Sequence, residues 1–284
     1  MTTGKSTTPQ VQNPETTTGL VGWFDILGYK DFMKNSSLGY AIGVLKGIQV
    51  GVQPDRLARI NGIIACLPSD KENERIIAEQ ARDSASWLVF SDTVVLAMPF
   101  PQSEPFNVRF VKVGMYLELA KDLMSHYMGT GLPARGAISF GEFYLHENPT
   151  LFAGRPLIEA QSWAENQEWS GCVFTPSGES IVNQTAARLP PDLRAVLMSE
   201  TVRYTVACSN NRESRSPRSM MCLNWPNSIA GLMKDMDIPT FVKRQFSRHN
   251  KNTSSTGVQA KIDNTIKFMS HCESINGPYR KPSD

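Results

Sequence analysis

Two aspartates stand where an ionised side chain is expensive. Asp25 interrupts the apolar run Gly19-Leu-Val-Gly-Trp-Phe-Asp-Ile-Leu-Gly28, and Asp92 interrupts Trp87-Leu-Val-Phe-Ser-Asp-Thr-Val-Val-Leu-Ala-Met98. A carboxylate inside a buried strand needs a cation to offset its lost hydration. If the two strands are neighbours, the aspartates meet at one end of a sheet. Such a pair, with no histidine or thiolate nearby, suits a hard divalent ion such as Mg²⁺ or Mn²⁺. Two such ions about 4 Å apart serve in-line displacement at phosphorus. The competing reading is that each aspartate caps a strand end or pairs with an arginine.

The elements that must position these residues follow from hydrophobic spacing. Gly19 to Gly28 reads as a buried strand. Trp87 to Met98 reads as a hairpin with Ser91-Asp92 at its turn. Asp70 to Arg82 is polar and helix-compatible within a poorly patterned stretch. Phe106, Phe110, Val113, Leu117, Ala120, Met124 and Tyr127 recur in steps of four and three, which predicts a helix over Phe106 to Met128 that Gly129 and Gly131 stop. Arg109, Lys112, Lys121 and Asp122 should then point away from the core. Pro133 to Gly141 and Glu142 to His146 read as two strands joined at a glycine, Leu157 to Trp169 as a helix and Gly171 to Thr175 as a strand. Farther on, Thr201 to Cys208 and Met220 to Trp225 alternate like strands, Ser209 to Ser219 is a Ser/Arg-rich loop, and Val258, Ile262, Ile266 and Met269 mark one face of a last helix. The order predicts an α+β sandwich, a mostly antiparallel sheet with helices packed on it. The expected division is a disordered tail at 1–18, a catalytic domain at 19–187 and a C-terminal extension at 188–284 packed on it.

Composition excludes several classes. Among 284 residues, 29 are Lys or Arg and 27 Asp or Glu, and the net charge of +2 gives no reason to expect a nucleic-acid partner. No apolar run reaches the roughly 18 residues of a membrane span, and the polar start does not resemble a secretory signal. The five cysteines form no C-x-x-C pair and the four histidines no H-E-x-x-H, so a reduced, cytoplasmic chain without a disulfide framework or zinc site is expected. Gly4-Lys5-Ser6-Thr7 lacks the preceding strand and glycine of a phosphate-binding loop. Lys243 to Lys251 is basic with one aromatic and reads as a solvated helix face.

The two aspartate segments resemble a known family. Phe24-Asp25-Ile26-Leu27-Gly28-Tyr29 is similar to the F-x-D-I-x-G-F signature of class III nucleotide cyclases. Phe90-Ser91-Asp92 resembles their second, hairpin-borne metal motif, usually Gly-Asp. Arg135-Gly-Ala-Ile-Ser-Phe-Gly141 resembles their R-x-G-I-x-x-G strand, and Phe152-Ala153-Gly154 stands in the place of their D-x-x-G-x-x-V-N stretch. The motifs occur in the family's order over roughly residues 19–180. The resemblance implies that Asp25 and Asp92 bridge two Mg²⁺ or Mn²⁺ ions, with the carbonyl of Ile26 completing one site. It implies that Arg135 grips the triphosphate and that Phe24 packs beside the nucleotide; a surface pairing of Arg135 with Glu142, and a core position for Phe24, are the alternatives.

Where the chain departs from the family is more telling. The positions of the purine-reading lysine and acid are Leu88 and Leu151. The positions of the asparagine and arginine that steady ribose and transition state are Ile158 and Ser162. This pattern, with Gly154-Arg-Pro-Leu-Ile-Glu-Ala160, Trp163, Glu165 and Trp169-Ser-Gly171, resembles the Pycsar cyclases, bacterial antiphage enzymes that make cyclic pyrimidine nucleotides. The resemblance implies conversion of UTP, ahead of CTP, to 3′,5′-cyclic UMP and pyrophosphate, in a homodimer that signals to a separate effector protein. A degenerate cyclase-like domain that senses nucleotide without turnover is the rival, and a diguanylate cyclase is set aside because its GG(D/E)EF signature is missing.

Overall fold

A computed structural model describes residues 16–51, 76, 79–81, 83–101, 103–147, 150–208, 218–233, 236–277 and 279. At its centre is β1 (Thr17–Ile26), which begins two residues before the apolar run predicts. It pairs antiparallel with β3 (Thr93–Pro99) on one side and with β4 (Ala134–Glu147) on the other. The sheet continues outward through β2 (Ser86–Phe90) beyond β3, and through β6 (Cys172–Phe174), β8 (Arg218–Leu223) and β7 (Thr201–Val206) beyond β4. β5 (Thr150–Gly154) returns along the far half of β4. Among the described residues, only the β4–β6 pair is parallel. The architecture is α+β with a mostly antiparallel sheet, as the element order predicts.

Helix α1 (Tyr29–Asn35) follows the end of β1 through Gly28, whose φ of 74° is open to glycine at little cost. Helix α2 (Leu38–Gly51), carrying glycines at 39, 43 and 47, falls in a stretch where sequence periodicity predicts no element. Helix α3 (Phe106–Thr130) runs under the sheet, two residues longer than its spacing predicts, and ends at Gly131 in the left-handed region. It approaches β1 so closely that a Cβ at Gly22 would lie 2.4 Å from the Tyr116 hydroxyl. Leu20 and Phe24 face this helix in the main core, while Val21, Val95, Ala97 and Phe143 form a smaller cluster on the opposite face.

Several expectations need correction. Lys112 and Lys121 do not point to solvent: Lys112 is buried against Glu104, and Lys121 between Glu118 and Glu200. The two strands expected at 133–146 are one, because Gly141 pairs with Gly19 in the ladder and makes no turn. The helix expected at 157–169 is α4 (Arg155–Glu165), which starts earlier and stops earlier, leaving Trp169 buried in the following turn. Helices α5 (Pro176–Ala187) and α6 (Pro191–Ser199) lead into β7, and the short α7 (Ala230–Met233) precedes α8 (Ile238–Ser247) and α9 (Thr256–Asn276). The basic stretch after α8 is not a solvated face throughout. Arg248 Nη1 donates to Gly129 O at 3.0 Å and Lys251 Nζ to Gly131 O at 2.6 Å, satisfying the last carbonyls of α3. Residues 1–15, most of the segment Asp70 to Arg82, and 209–217 of the predicted Ser/Arg-rich loop lie outside the described residues. No helix among the described residues is long and apolar enough to cross a membrane.

Candidate active site

The ends of three strands bring the predicted residues together. Asp25 is the penultimate residue of β1, opposite Thr93 on β3 and Arg135 on β4. Asp92 sits in the two-residue turn between β2 and β3, and its carbonyl accepts a hydrogen bond from Ile26 N at 2.9 Å. The turn is tight because Phe90 and Thr93 pair directly, and it forces Ser91 to a φ of 55°. Strand alternation turns Asp25 to the face opposite Phe24. Phe24 lies wholly in the core under the sheet, its ring filling the space where a Cβ on Gly22 or Gly136 would come within 2.6 Å of it.

Asp25 pairs with Arg135, one of the two readings that the sequence left open. Its Oδ2 accepts from Arg135 Nε at 3.1 Å and lies 3.0 Å from Nη2, with each side chain 19% exposed. Arg135 does not turn to Glu142, which instead accepts from Thr16. Burial pushes the Asp25 carboxyl above its ordinary pKa against the pull of Arg135, and the negative charges of Asp92 and Glu165 push in the same direction as burial. Burial chiefly, and then the charges of Asp25, Asp92 and Tyr29, hold the Tyr127 phenol far above its ordinary value, so it is protonated. Tyr127 and Glu165 thus belong to the electrostatic surroundings of the aspartates. The sequence shows Tyr127 only as a core position of α3.

Asp25 and Asp92 supply hard carboxylate oxygens on neighbouring backbone positions, the donor chemistry that Mg²⁺ and Mn²⁺ prefer. Among the described residues no group of three or more His, Cys, Asp or Glu side chains gathers into a protein cage. Two carboxylates without a cage fit an ion that keeps water or substrate phosphate in its remaining positions. The residues therefore fit the implied metal.

The positions that the resemblance aligns with base and ribose recognition, Leu88, Leu151, Ile158 and Ser162, lie on β2, β5 and α4. Leu88 lines a cavity of about 310 Å³ with Asp83, Ser86, Trp87, Leu145 and Phe152. Leu151 does not line it: the neighbouring residue on β5, Phe152, does, and Leu151 is 53% exposed. Ile158 on α4 is 68% exposed, and Ser162 contributes a carbonyl to Asn166 Nδ2 at 2.7 Å. Sequence reasoning missed the turn after α4. There Glu165 O and Gln167 O accept from Arg135 Nη1 at 2.8 and 3.4 Å.

No protein-family model and no curated protein matches the chain. Among solved structures, it is similar to the adenylyl cyclase CyaB from P. aeruginosa, with a TM-score of 0.43 at 10% identity over 75% of this chain and 96% of that one. It is similar to the catalytic core of a rhodopsin-guanylyl cyclase with converted specificity in complex with ATPalphaS, with a TM-score of 0.44 at 8% identity over 74% of this chain and 96% of that one. A third similarity is to the monomeric guanylyl cyclase domain of the RhoGC fusion protein from the aquatic fungus Blastocladiella emersonii, with a TM-score of 0.40 at 10% identity over 61% and 90%.

Proposed function

We propose that the chain is a nucleotidyl cyclase that converts a pyrimidine triphosphate, UTP ahead of CTP, to its 3′,5′-cyclic monophosphate and pyrophosphate. The observation that carries the reading is the convergence of Asp25 and Asp92 at one sheet end, joined by the Ile26 N to Asp92 O hydrogen bond, with an arginine at hand. The pyrimidine assignment rests on Leu88 and Leu151, apolar where the family's purine-reading groups stand. In this reading residues 19–187 form the catalytic domain, and 188–284 complete and brace it. The product serves as a second messenger to a separate effector in bacterial antiphage defence.

In the reaction the ribose 3′-hydroxyl gives its proton to water while its oxygen attacks the α-phosphorus, the bond to the α–β bridging oxygen breaks, and pyrophosphate leaves. Asp25, Asp92 and the Ile26 carbonyl would hold two Mn²⁺ or Mg²⁺ ions. When bound, these supply Lewis-acid stabilisation of the attacking and leaving oxygens. Arg135, a planar fork of N–H donors, grips the triphosphate once Asp25 releases it. The site opens to solvent at the sheet end, and a second copy of the chain, related by a two-fold axis, closes it by bringing Leu151 and α4 across.

A sensor without turnover is favoured by one observation, the engagement of Asp25 by Arg135. Asp25→Ala and Asp92→Ala separate the two readings. The cyclase reading predicts that each variant folds and loses turnover by about 10³-fold or more, because metal catalysis supplies several kcal/mol. A wild-type protein that binds UTP with Mn²⁺ and forms no cyclic product would establish the sensor.

A further inference from the structure

Arg135 is held from two sides. Asp25 takes Nε and Nη2, while the carbonyls of Glu165 and Gln167 take Nη1. Those carbonyls lie where α4 gives way to the turn before β6, and the turn is fastened to the residues that flank Arg135 on β4. Gln167 Nε2 donates to Gly136 O at 2.7 Å, Ser170 Oγ to Ala134 O at 2.8 Å, and Gly136 N to Gly171 O at 2.8 Å. The outer side of the turn is held by α9. Lys261 Nζ donates to Glu168 Oε2 at 2.5 Å, Asn264 Nδ2 to Glu168 O at 2.9 Å, and Thr265 Oγ1 accepts from Ser170 N at 2.9 Å. Behind these contacts Phe268 meets the Trp169 ring edge to face at 4.3 Å.

We propose that α9 positions Arg135: through the 165–170 turn, Lys261 and Asn264 aim the guanidinium at Asp25, and Arg135 is the resting counter-ion that a divalent cation must displace. The inference rests on the reading of Asp25 as a metal ligand. A largely buried carboxylate stays ionised only at a cost unless a cation lies beside it, and the arginine supplies one before the ion arrives. When Asp25 turns to the ion, the guanidinium keeps its two carbonyl acceptors and stays at the site. Lys261 and Asn264 are positioning residues; neither touches Asp25.

The test is Mn²⁺ binding to the full chain without nucleotide, followed by electron paramagnetic resonance of the free ion. Removing the competing cation in Arg135→Met should tighten binding about tenfold, as expected for a charge-assisted hydrogen bond that the ion no longer has to break. Asn264→Ala and Lys261→Met should each tighten it about fivefold, at the low end of coupling between separate sites. Lys261→Arg should restore wild-type binding. In an Arg135→Met background the α9 substitutions should change nothing, a dependence that a merely structural role would not produce. Circular dichroism confirms that each variant is folded. Equal effects with and without Arg135, or none with Arg135 present, overturn the proposal alone. Unchanged Mn²⁺ binding in Asp25→Ala overturns the metal reading and this proposal with it.

Discussion

At the scale of single residues, the Asp25–Arg135 pair stands between two energetic regimes. Exposed ion pairs contribute at most about 1 kcal/mol, while losing one partner of a buried pair costs about 3–5 kcal/mol. With both side chains 19% exposed, Arg135→Met should lower unfolding free energy by about 2 kcal/mol, and adding Asp25→Asn should recover part of the loss, both read by urea denaturation. Ser91 offers a separate test. Its φ of 55° is expensive for a β-branched side chain, so Ser91→Val should destabilise by about 1–2 kcal/mol, while Ser91→Gly should not destabilise. The same denaturation curves decide it. Asp25 and Asp92 were legible in the sequence because a charge inside an apolar run is conspicuous, whereas Arg135 was singled out only by the resemblance of its strand to the cyclase motif. The carbonyls of Glu165 and Gln167 were not, because any residue type carries a backbone acceptor.

At the scale of elements, the 3.6-residue spacing locates α3 but misplaces its lysines. A lysine beside apolar neighbours reads as solvent-facing unless its partners are known, and Glu200 lies far along the chain from Lys121. Lys121→Met should cost about 3–5 kcal/mol, because it removes the cation beside Glu200 in the interior, where burial already pushes the Glu200 carboxyl up. Adding Glu200→Gln should restore part of that stability. Similarly, Gly141 looks like a breaker in the sequence, yet β4 runs straight through it, because the ladder with β1 is unbroken on both sides of the Gly19–Gly141 pair. The cap of α3 gives a pH prediction. Burial lowers the Lys251 pKa to about 8, against the pull of Asp31. The folded state then binds fewer protons than the unfolded chain above pH 8, so this group adds stability as pH rises from about 8 to 10. The stability of the wild type relative to Lys251→Met should therefore climb over that interval, by at most about 3 kcal/mol.

At the scale of the whole molecule, one sheet runs from β2 to β7, and the C-terminal residues add two strands to it rather than standing apart. Their alternation was legible at 201–208 and 220–225. Their place beside β6 was not, because it rests on a pairing as brief as Val173 with Cys222. On the proposed reading, a two-fold pair of chains joins the aspartates of one to Leu151 and α4 of the other. An Asp25→Ala chain mixed with a Leu151→Lys chain should regain activity through the one intact site of each mixed dimer, with each variant alone nearly inactive. Recovery of no activity, with subunit exchange confirmed, would show a site complete within one chain. The decisive experiment is to incubate the purified protein with each of the four nucleoside triphosphates and Mn²⁺ and to identify the products by mass. A pyrimidine cyclase yields 3′,5′-cyclic UMP with pyrophosphate from UTP, lost in Asp25→Ala. Cyclic AMP or cyclic GMP alone would contradict the base assignment, and no cyclic nucleotide from any of the four would contradict the cyclase itself.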